Sequence, residues 1–281
     1  MTSECSNRPA GTTGVSVPLV CALVLAIGNA ASALSPAPAA PLRICSDPNN
    51  LPFSNRHNQG FENAIGNELA AFLGTRVEYA WWAQRRGFVR NTLNAGRCDV
   101  VMGYPEGAEG VLTTIPYYRS TYVFVTRRAQ HLHIRSFDDP ALRRLRIAVP
   151  LVGDDGASTP PAYSLSRRGI VTNLVGYSVY GDYATANPPA AMVAAVARGD
   201  VDVAAAWGPL AGYFAAQSTI PLDIVPVFPT REGPVSQTFA ISMAVRKSDA
   251  ARQRVLDRFI RERQATIDAI LARYRVPRVP S

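Results

Sequence analysis

The chain has 281 residues, 47% of them hydrophobic, and a formal net charge of +8 at pH 7. That length suits one large domain or two smaller ones, and no segment after residue 33 stays apolar for the ~20 residues a membrane helix requires. Of the 29 basic residues only Lys247 is lysine, so the charge reads first as compositional bias and second as steering toward an acidic exported protein; without an RRM, zinc-finger or helix-turn-helix signature, nucleic acid is excluded as a partner.

Residues 1–33 read as a signal peptide. Arg8 precedes an apolar run at 15–27, too short to span a bilayer, and Ala31-Ser32-Ala33 supplies a small-residue cleavage site. Cys21 follows Val20 inside that run, which argues against a lipid-modified cysteine. Cleavage leaves Cys45 and Cys98, and two cysteines in an exported chain favour one disulfide over two buried thiols. Both sit at the entrance of predicted parallel strands, whose neighbours run about 4.8 Å apart. A bridge there contributes about 4 kcal/mol in the chain-entropy model.

Residues 43–46 predict a strand that stops at the loop 47–53. Phe61, Ile65, Leu69, Phe72 and Leu73 recur at helical spacing, with Gly74 as the stop. Val77, Tyr79 and Trp81 alternate as a strand. Phe88, Val89 and Leu93 mark a second helix ended at Gly96, and 98–103 is a buried strand. In such a βαβαβ unit, ligands sit beyond the carboxyl ends of the strands. An extended crossover follows at 122–126, after Pro116-Tyr117-Tyr118.

A second series begins near Ser136. It predicts a short helix at Pro140, a strand at 146–150, the loop Gly153-Asp154-Asp155-Gly156 and a helix from Pro160 to Gly169. A strand at 171–177, a helix from Asn187 to Gly199, a strand at 201–207 and a short helix to Gln217 complete it. Residues 238–245 form the return crossover. Ser248-Asp249 then caps a long helix with Val255, Phe259, Ile267, Ile270 and Tyr274 on its apolar face. The expected molecule is a two-lobed α/β protein: residues 34–127 begin lobe 1, 128–236 form lobe 2, and 237–281 return to lobe 1.

This layout resembles the type 2 periplasmic solute-binding fold, each lobe a mainly parallel sheet flanked by helices and the two joined by crossover strands. Leu51-Pro52-Phe53 with Gly60-Phe61, and Leu93-Asn94-Ala95-Gly96-Arg97-Cys98-Asp99-Val100, look like its first-lobe motifs. The segment 196–203 repeats the second of these in lobe 2. The longer strings 47–55, 82–90, 151–156 and 207–213 are similar to the quinoprotein dehydrogenase-associated branch, the MoxJ/XoxJ group of methanol oxidation proteins. The resemblance implies a periplasmic protein; a monomer without a cofactor of its own is the expectation. Its implied partners are a PQQ-dependent alcohol or methanol dehydrogenase and that enzyme's cytochrome c.

Departures from the amino-acid binders carry chemistry. Where those place an arginine for the ligand carboxylate, this chain has Tyr104-Pro105-Glu106-Gly107-Ala108; where they place an aspartate for the ammonium, it has Trp207. A free amino acid is therefore not the expected ligand. Asn49, Asn50 and Phe53 are read as cleft lining, with a self-capped turn as the alternative. Trp82, Tyr104, Tyr117 and Trp207 complete an aromatic wall fit for an apolar surface, a peptide segment or a small molecule.

Arg86, set with Arg85 and Arg90 at a helix start where cations oppose the dipole, is a candidate for an acidic ligand, against a plain solvated charge run. Asp154 and Asp155 are cleft candidates, but a lone pair without further oxygen ligands is weak evidence for a metal, and none is assigned. His57, His131 and His133 lack the companions of a zinc site. The expectation is binding rather than catalysis. The rivals are an importer's binding component for a small organic solute, and an enzyme using Glu62 or Asp155 as its acid.

Overall fold

The computed structural model describes residues 40–151, 159–180 and 183–280, together with Gly14. The predicted signal peptide, Gly14 apart, lies outside them, as do Asp154 and Asp155.

Three strands, β1 (Leu42–Ser46), β2 (Val77–Trp81) and β3 (Val100–Pro105), run parallel in the order β2-β1-β3, with Ile44 opposite both Tyr79 and Val100. Helix α1 (Phe61–Phe72) covers this sheet with Phe61, Ile65 and Leu69, four residues apart and all fully buried. Gly74, at φ +64°, stops the chain from continuing as helix. The second helix is shorter than its sequence pattern predicts. α2 spans only Phe88–Asn91, because Thr92 donates its hydroxyl back to Phe88 O at 2.7 Å and Gly96 turns away at positive φ. Cys45, inside β1 rather than at its entrance, is bridged to Cys98 ahead of β3, with Cα atoms 5.4 Å apart.

The chain leaves through β4 (Tyr118–Arg127), which starts earlier than predicted. Lobe 2 repeats the plan. β5 (Ile147–Leu151), β6 (Leu174–Ser178) and β7 (Val203–Trp207) run parallel in the order β6-β5-β7, linked by α3 (Pro160–Ser166) and α4 (Ala190–Arg198). The helix expected at Pro140 is a 3-10 turn, Pro140–Arg143, capped by Asp139. After α5 (Gly208–Gln217) comes β8 (Leu222–Pro226), a strand where the sequence predicts none. Its short alternation is hemmed by Pro221 and Pro226, a pattern that only a sheet edge tolerates.

The return strand β9 (Thr238–Val245) runs antiparallel to β3 and to the first part of β4, and α6 (Ala250–Arg273) packs over lobe 1. The strand path is β2-β1-β3-β9-β4-β7-β5-β6, with β8 also on β4. Each lobe is thus a parallel three-stranded sheet closed by one antiparallel crossover. Residues 118–121 of β4 pair with β9 and 122–126 with β7, so a single strand serves both lobes. At the change-over, Tyr122 N and Thr121 Oγ1 both donate to Gln237 O, at 2.8 and 3.0 Å. Among the described residues no helix is long and apolar enough to cross a membrane.

The repeated Gly-x-x-Asp-Val segments prove to be clamps. Asp99 N donates to Arg43 O, and the Asp99 carboxylate accepts from Arg43 and Arg246 at 2.8–2.9 Å. Asp202 N donates to Arg146 O, and its carboxylate accepts from Arg146 N at 2.8 Å. In both lobes the aspartate ties the third strand to the start of the first.

Candidate functional site

The loop after β1 is shaped by its own polar side chains. Asp47, almost fully buried, accepts the backbone N–H of Asn49 at 2.8 Å and of Gln84 at 2.7 Å. Asn63 Oδ1 accepts from Asn55 N and Gly60 N, both at 3.1 Å. Residue 60 must be glycine, since a Cβ there would lie 1.9 Å from Phe53 O. These ties hold 51–53 as a projecting tip. Leu51, 6% exposed, is buried among lobe 2 residues that include Val193, Val196 and Leu210. Asn49 Nδ2 donates to Thr185 O at 2.9 Å, a second tie between the lobes.

Trp207 forms the opposite wall. It ends β7 and meets Tyr122 and Phe239 edge to face, at centroid distances of 5.3 and 5.9 Å. It also packs against the core of lobe 1. Between Trp207 and Phe53 lies a cavity of about 220 Å³, lined further by Asn50, Tyr122, Tyr180 and Phe239. Pro105, Pro150, Thr159, Val179, Met192, Leu210 and Ile241 complete the lining, so among the described residues no carboxylate, guanidinium, ammonium or imidazole faces it. Burial raises the pKa of Tyr122 and Tyr180, keeping both phenols neutral.

The sequence candidates are only partly brought together. Asn50, Phe53 and Trp207 share the cavity, with Asn49 beside it. Trp82 instead packs near the disulfide, under Arg97 at 5.1 Å, and borders a separate crevice with Trp81, Arg56, Arg85 and Tyr183. Tyr104 packs against that same disulfide cluster. Tyr117 is 1% exposed in the core of lobe 1, its hydroxyl donating to Met102 O at 3.1 Å, because a tyrosine just before the crossover must fill the space under α6. Arg86 lies exposed on the surface.

Tyr122, Tyr180 and Phe239 are cavity residues that the sequence reading does not single out. A signal was present, since two of them ride the crossover strands that floor any cleft between lobes, and Tyr180 follows the carboxyl end of a parallel strand.

Glu62 lies in the first turn of α1, buried, and does not line the cavity. Burial, with Asp47 nearby, pushes its carboxyl up to about 8. Gly103 makes room for it, for a Cβ there would come within 2.2 Å of Glu62 Oε1. No group of three or more His, Cys, Asp or Glu side chains suited to a metal occurs among the described residues.

The family model for bacterial extracellular solute-binding proteins, family 3, matches residues 42–276. Protein MoxJ of Methylorubrum extorquens is 31% identical over 262 residues, which cover 91% of this chain and 87% of that protein. Two solved structures are similar along their whole length. The periplasmic binding protein XoxJ from Methylobacterium extorquens AM1 has a TM-score of 0.70 at 36% identity, and MxaJ from Methlophaga aminisulfidivorans MPT has 0.69 at 27%. Each covers 85% of this chain and 100% of the other.

Proposed function

The chain belongs to family 3 of the bacterial extracellular solute-binding proteins, and we propose that it is a periplasmic accessory of a PQQ-dependent alcohol dehydrogenase. In this reading it binds a small uncharged ligand or a partner segment between its lobes and carries out no chemistry on it. The lobes divide at 127/128 and 236/237, and closure about the two crossovers couples capture to release.

The supporting observation is the cavity. A buried zwitterion needs charged or multiply hydrogen-bonding partners, whereas the described lining here is Phe53, Tyr122, Tyr180, Trp207, Phe239 and aliphatic groups, with Asn50 and Thr159 for orientation. About 220 Å³ is below the ~300–1,000 Å³ of drug-sized sites. A cavity of this size suits one small molecule, and a peptide segment requires the lobes to part.

The experiment compares dehydrogenase activity, with PQQ supplied, in cells with and without this protein. A large loss that wild type restores and Trp207→Ala does not is the expected result; undiminished activity without the protein overturns the reading. Thermal shifts add the ligand class: small neutral aromatic or aliphatic molecules should raise Tm, and free amino acids should not. A tightly bound neutral solute together with an unaffected dehydrogenase would favour an importer's binding component, a role the cavity also fits.

A further inference from the structure

The outer side of α6 carries a row of arginines. Arg254, Arg258 and Arg261 lie at i, i+4 and i+7, all exposed, on the side opposite Leu256, Phe259, Ile260 and Ile267. None of the three makes an ion pair among the described residues, while Arg43, Arg128, Arg146, Arg168 and Arg246 each face a carboxylate. Like charges at this spacing repel. No carboxylate compensates the triad among the described residues, and only Arg258 finds a partner within the chain, the ring of Phe72.

Its surroundings fit a contact surface. Arg258 and Arg263 sit 5.6 and 5.9 Å from the ring of Phe72, the half-buried last residue of α1. Ala265, Ala269 and Ala272 continue the exposed stripe with small side chains, and Glu262 is the one exposed acid beside it on the helix. Aromatic and arginine side chains together are the usual energetic centre of protein interfaces. Guanidinium forks match carboxylates in pairs. A membrane surface would call for large apolar side chains along the stripe, which has alanines.

We propose that this face of α6, with Phe72 at its edge, docks an acidic protein surface. It is separate from the inter-lobe cavity, so a partner can be held while the lobes open or close. The identity of the partner rests on the accessory reading above; the surface itself rests on the unpaired triad.

The test measures binding of the full mature chain to the purified dehydrogenase of the same cell across a salt series. The variant Arg254→Gln/Arg258→Gln/Arg261→Gln should weaken binding about tenfold or more and flatten the salt dependence. A control, Arg135→Gln/Arg144→Gln/Arg231→Gln, removes the same charge from exposed positions of lobe 2 and should bind like wild type. Equal loss in both variants, or none in the first, overturns the surface while leaving the accessory role standing. Failure of the wild-type chain to bind overturns both.

Discussion

Lobe 1 and lobe 2 share a strand order and a clamping aspartate, yet they are filled differently. Lobe 1 packs Phe61, Met102, Met243 and Phe259 between its sheet and two long helices, and a disulfide ties β1 to the approach of β3. Its described carboxyls include the two whose pKa is raised, Asp47 and Glu62. In lobe 2, β7 carries Ala204, Ala205 and Ala206, all fully buried, with Ala204 and Ala206 in one cluster with Ala195 and Ala211, and the lobe's resolved carboxyl shifts, at Asp138 and Asp202, are downward. A large, cross-linked core can hold the projecting tip at 51–53. A core of small residues lets α4 and α5 lie close to the sheet and leaves room for Leu51 of the other lobe.

Breaking the bridge should separate the lobes most clearly. Cys45→Ser/Cys98→Ser is expected to lose about 2–5 kcal/mol in urea unfolding, with the loss read in hydrogen exchange of β1 and β3 and little change in β5 and β7. Uniform loss of protection would mean that the two lobes unfold as one unit.

Rising pH should act on lobe 1 next. The folded pKa of Glu62, about 8, lies above its ordinary 4.5, so the folded state holds more protons in between. This contribution is complete below about 4.5 and fades as pH rises toward about 8, on the order of 5 kcal/mol across the window. Glu62→Gln should remove that slope from a Tm-versus-pH curve, and an unchanged slope would count against a buried neutral acid.

Leu51→Ala removes the group that lobe 1 inserts into lobe 2. A loss of about 2 kcal/mol and a larger radius of gyration in X-ray scattering are expected. Identical scattering would show that other contacts keep the cleft shut. The smallest effect belongs to the change-over itself. Thr238 donates to Thr121 Oγ1 at 3.0 Å, and Thr238→Val should cost about 1 kcal/mol, seen as a shifted urea midpoint with unchanged slope.

Much of this architecture was legible in the residues. Phe61, Ile65 and Leu69 with Gly74 announce α1, and the two Gly-x-x-Asp-Val segments announce the third strand of each lobe. The site was legible only in part. Asn50, Phe53 and Trp207 meet at one cavity, but Trp82, Tyr104 and Tyr117 serve packing instead. An aromatic residue near a strand end has the same sequence signature whether it faces core or cleft. Periodicity along one strand does not say which neighbour covers which face.

By itself, then, the order of apolar runs, turns and cysteines determined two parallel sheets, their crossovers and one covalent tie, because each follows from spacing along a short stretch of chain. Only the folded molecule decided that Leu51 enters the opposite lobe, that Tyr122 and Phe239 floor the cavity, and that Arg254, Arg258 and Arg261 make no ion pair among the described residues. Those outcomes depend on which surfaces meet after distant segments pack, and on what each side chain finds within a few ångströms once they do.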